Sequence, residues 1–208
     1  MKPFGRPTIL ALAVVSAIAG SFAAYAEDLD PLTLFESAKA SYGEKKYGQS
    51  MSDLKLLFNE IGRRRVDQLR LTLPAAPAGW TAEDQDGDSG ALGAMFWGAG
   101  VTVKREYKKG DEARVTVELN ADSPLVGMMG MMFSNPAMMG EGASVVTIKG
   151  KRAVLQYEKE AKRATLQLLL NSNTTLLKVE GSSVSKEDVT NVFGNALDLN
   201  AMETALQN

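Results

Sequence analysis

The strongest constraint on the fold is a series of short β-patterned stretches joined by links too short to hold a helix. Val145 to Lys149, Ala153 to Glu158, Ala164 to Leu170 and Leu176 to Glu180 follow one another closely. Only Gly150-Lys151, the charged turn from Lys159 to Arg163, and Asn171-Ser172-Asn173 stand between them. A parallel neighbour requires a crossover of roughly a dozen residues or more, so these stretches pair antiparallel. Upstream, Met95 to Tyr107 and Ala113 to Leu119 flank the turn Lys108-Lys109-Gly110-Asp111. Val101, Val103 and Arg105 share one face of the first of these strands, and Val115, Val117 and Leu119 one face of the second. That alternation is the pattern of a hairpin with one wet face.

On either side of the strands the apolar period changes from two to three or four. Asp30-Pro31 is a helix start, with an N-cap carboxylate and a proline at the first helical position. Phe35, Ala38 and Tyr42 follow at helical spacing, then a turn within Gly43 to Gly48. Met51, Leu54, Phe58 and Ile61, broadened by Leu57, form a second stripe. Ala38, Tyr42 and Tyr47 around the turn resemble a single tetratricopeptide-type unit. Stacked repeats need about three such units to bury their faces, and no second copy is present in the chain. Leu69, Leu71 and Leu73 read either as strand or as the frayed end of the second helix. At the other end, Ser185 to Asp188 is a capping box ahead of Val189, Val192, Phe193, Ala196 and Leu197. A short last helix is expected over Ala201 to Leu206.

These readings give an α+β fold, an antiparallel twisted sheet covered by helices and preceded by an N-terminal αα-hairpin. The expected divisions are a signal peptide over 1–26, the helical hairpin over 27–68 and the sheet domain over 69–208. Leu73-Pro74 and Gly79-Trp80, followed by meandering strands and a C-terminal helix, resemble the photosystem-II-P/Mog1-like folds over about 130 residues. The methionine-rich Ser-Pro segment, Ser123 to Gly140, resembles small exported proteobacterial proteins of unassigned function. Neither resemblance implies a site or an activity.

The N-terminus reads as an address. Lys2 and Arg6 precede an apolar run from Ile9 to Ala19, and Ala24-Tyr25-Ala26 is the small-x-small pattern cleaved by signal peptidase. Export to the periplasm with cleavage after Ala26 is the expectation. Of 208 residues, removing 26 leaves 182, with 21 basic and 25 acidic side chains once Lys2 and Arg6 are gone. A net charge of −4 gives no general attraction to nucleic acid or anionic lipid. No other apolar run approaches the ~20 residues of a membrane span.

The chain has no histidine and no cysteine, which removes the most common general base, the most nucleophilic side chain and the strongest transition-metal ligands. A non-enzymatic protein is therefore expected. Ser182 to Ser185 before Lys186 reads as helix-cap chemistry rather than a Ser–Lys dyad, and Glu158 with Glu160 as an exposed turn. Asp84, Asp86 and Asp88 match the first three ligand positions of a calcium loop. Ser89 and Met95 stand where that loop needs glycine and a bidentate glutamate.

Six of the ten methionines fall in Ser123 to Gly140. Leu125, Met128, Met129, Met132 and Phe133 form a stripe that can cover one face of a sheet. Met131, Met138 and Met139 fall outside it. Two functions compete for this surplus. One is a contact surface for an unknown protein or apolar ligand, formed by Met131, Met138 and Met139 with Arg63, Arg64 and Arg65 as a second candidate patch. The other is a Cu(I) or Ag(I) site in which the thioethers of Met128, Met129, Met131, Met132, Met138 and Met139 supply soft ligands.

Overall fold

The computed structural model describes residues 30–85, 100–122, Val126, Phe133 and 142–207. The expected signal peptide, the stretch 86–99 with Asp86, Asp88 and Met95, and the methionines of Ser123 to Gly140 lie outside the described residues. Among the described residues seven strands form one antiparallel sheet: β1 (Thr81–Gln85), β2 (Val101–Lys109), β3 (Ala113–Ala121), β4 (Ala143–Ile148), β5 (Lys151–Glu158), β6 (Arg163–Leu170) and β7 (Thr175–Ser182). Helices α1 (Pro31–Gly43) and α2 (Tyr47–Arg70) precede it. Two more follow: α3 over 186–196 and α4 (Leu199–Gln207). The chain divides into two compact units, Met1–Leu57 and Phe58–Asn208.

The spatial order of the strands is β1-β2-β3-β7-β6-β5-β4. Two meanders, β1 to β3 and β4 to β7, meet where β7 returns beside β3, with Val117 opposite Val179. Alternation then sorts the side chains. Val103, Val115, Val117, Leu119, Leu155, Leu166, Leu168, Leu177 and Val179 are buried on one face with Val189, Phe193, Leu197, Met202 and Leu206 of the C-terminal helices and Leu69 of α2. Phe193 lies edge-on to Trp80 at 5.0 Å and to Tyr107 at 4.9 Å. Burying an aliphatic or aromatic side chain of this size contributes ~1.5–3 kcal/mol, so this face holds most of the stability of the sheet unit.

The link from β3 to β4 has to pass from the middle of the sheet to its far edge. Val126 and Phe133, both helical and buried, lie on the opposite face against Val154 and Leu176, beside Ala143 and Leu169. Phe133 belongs to the stripe expected from the sequence, and Val126, seven residues before it, shares its face; Leu125, Met128, Met129 and Met132 lie outside the described residues.

Local chemistry explains the helix starts. Asp30 accepts from the Leu32 and Thr33 amides at 3.4 and 3.2 Å. The Ser185 hydroxyl accepts from the Asp188 amide at 3.1 Å while the Asp188 carboxylate takes the Ser185 amide at 3.0 Å, a reciprocal capping box. Gly181 lets α3 lie directly on β7, since a Cβ there would run into the Val184 and Val189 side chains. Thr81 to Gln85, which includes Asp84 of the calcium-like spacing, is an edge strand. The run Leu69, Leu71, Leu73 is the end of α2 and its following turn, with Leu69 and Leu73 buried and Leu71 exposed.

Candidate functional site

The hairpin of α1 and α2 has an unusual division of residues. Its seam is polar and narrow: Leu34 and Ala38 are the buried residues of α1, and Ser50 and Asp53 are the buried residues they meet on α2. The Ser50 hydroxyl donates to the Ala38 carbonyl at 2.9 Å. The Asp53 carboxylate accepts from Ser37 Oγ at 2.8 Å and from Gln49 Nε2 at 2.7 Å. Two of these hydrogen bonds, Ser50 to Ala38 and Ser37 to Asp53, tie the helices together across the seam, where Leu34 is the one large apolar side chain buried.

Other large apolar side chains go elsewhere. Leu32, Phe35 and Tyr42 on α1 and Tyr47, Met51 and Leu54 on α2 are between 44% and 73% exposed. At 3.6 residues per turn, each stripe lies about 100° around its helix from the seam, in the same rotational sense. In an antiparallel pair that places both stripes on the same side. The Tyr42 and Tyr47 rings, 5.6 Å apart at 62°, join them across the turn. The stripe of α2 runs on through Phe58 and Ile61, also exposed, at alternating spacings of four and three. The sequence expectation named Met51, Leu54, Phe58 and Ile61 as a stripe. The structure buries Ser50 and Asp53 in the hairpin seam instead.

The arginine patch has internal partners. Arg63 and Arg64 both hold Glu60, at 2.8 Å each. Hydrogen bonds from Arg63, then Arg64, bring the Glu60 carboxyl down to about 2. Arg65 pairs with Asp122 at 2.6 Å and donates to the Leu206 carbonyl at 3.4 Å near the end of α4. Met128, Met129, Met131, Met132, Met138 and Met139 lie outside the described residues, as does any geometry for Cu(I) or Ag(I).

A second electrostatic cluster joins the first two strands to the segment before them. Arg105 Nη2 donates to Asp84 Oδ2 at 3.0 Å, and Arg105 Nη1 donates to the Leu73 and Pro74 carbonyls at 3.0 and 3.2 Å. The Tyr107 hydroxyl donates to the same Pro74 carbonyl at 2.6 Å. Arg105 holds the Asp84 carboxyl below its ordinary value, and burial pushes Tyr107 up to about 12. Asp84, the first carboxylate of the calcium-like spacing, is thereby committed to an arginine. Among the described residues no three Asp or Glu side chains come together to hold a metal ion. Ser185 is occupied by its capping box, and Glu158 faces Arg163 at 4.0 Å.

No protein-family model and no curated protein matches the chain. Among solved structures, it is similar to the X-ray crystal structure of a protein from Chromobacterium violaceum, with 12% identity over 71% of this chain and 88% of that one and a TM-score of 0.22. Neither resemblance named from the sequence is met by a match.

Proposed function

We propose that this is an exported, non-enzymatic binding protein that works through apolar contact surfaces, foremost the open face of its helical hairpin. The observation that carries the reading is the sorting of residues in that hairpin. Its seam buries Leu34, Ala38, Ser50 and Asp53, while six large apolar side chains stand in solvent on one side. Scattered exposed apolar residues are ordinary; a contiguous set on one face marks an interaction site. The sheet unit needs no such cover, because its own helices already fill its inner face. The N-terminal pattern of Lys2, Arg6, Ile9 to Ala19 and Ala24-Tyr25-Ala26 supports export, and the lack of histidine and cysteine supports binding over catalysis.

Hydroxyl-radical footprinting tests this. Tyr42, Tyr47 and Met51 should be oxidised freely in the dilute purified protein and several-fold less in concentrated periplasmic extract. Met202, buried in the core, should stay unmodified in both. Equal oxidation of the three in dilute protein and in extract sinks the reading.

A further inference from the structure

We propose that the open face of the hairpin is covered by the same face of a second copy of this chain, giving a two-fold dimer in which two hairpins form a four-helix layer. The inference rests on the reading of this face as a contact surface and names its occupant.

Three features point to a second copy. The first is periodicity. Tyr47, Met51 and Leu54 stand four and three residues apart, the alternation that forms a seam between packed helices and calls for a partner helix with the same repeat. The second is incompleteness. The hairpin buries only two apolar side chains, Leu34 and Ala38, between residues 30 and 57. Helix pairs of this type gain their core by stacking on another pair. Among the described residues there is no further unit of this kind, and a second molecule supplies one with matching spacing. The third is charge. Residues 30 to 57 carry four lysines (39, 45, 46, 55) against Asp30, Glu36, Glu44 and Asp53, so the hairpin is neutral. Two copies do not repel each other, and no excess of either sign selects an acidic partner, a basic partner or an anionic membrane.

The area suffices. Aromatic side chains bury ~150–250 Å² each, so covering the six half-exposed side chains on both copies removes on the order of 1,200 Å², the lower bound of a stable specific interface. Two-fold symmetry closes the assembly, because each copy presents and receives the same patch.

The test is sedimentation velocity of the secreted chain from about 1 to 100 μM, together with a Met51→Glu/Leu54→Glu variant. Dimer formation by the wild type with a monomeric variant supports the proposal. Should the double variant fail to fold, a single Leu54→Cys in this cysteine-free chain replaces it. Oxidation should link that variant into a disulfide dimer, whereas Glu187→Cys on α3 should remain unlinked. A wild type that stays monomeric at 100 μM, or a dimer that survives both charged substitutions, overturns the second copy. Footprinting separates this from failure of the underlying reading. Protection in periplasmic extract but not in the purified protein at 100 μM means that the face binds a different protein. Protection in neither removes the contact surface altogether.

Discussion

Arg105 lies on the inner face of β2, opposite Val117 on one side and Asp84 on the other. A guanidinium among aliphatic side chains is tolerable only when its donors are used. Here Asp84 and the Leu73 and Pro74 carbonyls take them. The alternation in the sequence already put Arg105 on the same face as Val101 and Val103, but its partner was invisible, because Asp84 reads as one of several carboxylates in a turn. Glu83 and Glu106 sit directly opposite one another, an arrangement that costs stability by itself. Lys108 lies between them, 3.2 Å from Glu83 and 3.0 Å from Glu106. Its hydrogen bond holds Glu106 below the ordinary carboxylate range, and Lys108 is raised in turn. The pair with Arg105 gives a pH signature. Because the folded carboxyl of Asp84 is depressed, its stabilisation is present above the unfolded value near 4 and disappears as pH falls through the folded one. Asp84→Asn should therefore cost about 1 kcal/mol at pH 7, a partly solvated ion pair being worth no more, and lower Tm by ~2–4 °C. That difference should shrink steadily below about pH 4 in thermal melts; a gap that persists at pH 2 counts against an ionic latch.

At the scale of elements, what the sequence reveals depends on how much of each element's logic is local. β5, β6 and β7 were legible because inward residues such as Leu166 and Leu168 alternate with Thr165 and Gln167 along a single strand. The starts of α1 and α3 were legible because Asp30 and Ser185 satisfy amides two or three residues away. β1 was not. Thr-Ala-Glu-Asp-Gln has poor strand propensity, and its pairing with β2 sets Arg105 opposite Asp84 and brings Lys108 to Glu83. α3 departs from regular helix over Asp188–Phe193, where it takes a wider π-helical turn. Val189 and Phe193 are buried there, while Val192, which shares the apolar spacing in the sequence, is exposed. The seat of α3 predicts opposite outcomes for two glycines. Gly181→Ala places a methyl group into Val184 and Val189 and should lose ~1–3 kcal/mol. Gly62→Ala, inside α2 with nothing within 4 Å, should gain up to ~1 kcal/mol. Chemical denaturation of both variants checks the pair, and equal shifts would contradict the close approach of α3 to β7.

For the molecule as a whole, among the described residues no helix is long and apolar enough to cross a membrane. The N-terminal pattern makes a prediction of its own: protein recovered from the periplasm should begin at Glu27, which an intact-mass measurement reads directly. A mass retaining residues 1–26 would instead indicate an uncleaved anchor.

The amino-acid sequence alone determined the α+β class, the antiparallel pairing, the helix starts and the poverty of catalytic groups. Each of these follows from neighbours a few residues apart or from composition. Tertiary structure decided that β7 lies between β3 and β6, that Val126 and Phe133 cover the reverse face, and that Asp84 belongs to Arg105. It also decided that Ser50 and Asp53, rather than Met51 and Leu54, fill the hairpin seam. Periodicity states that a helix has an apolar stripe but not what the stripe faces. Burial is a property of the partner surface, and that surface comes from residues distant in the chain.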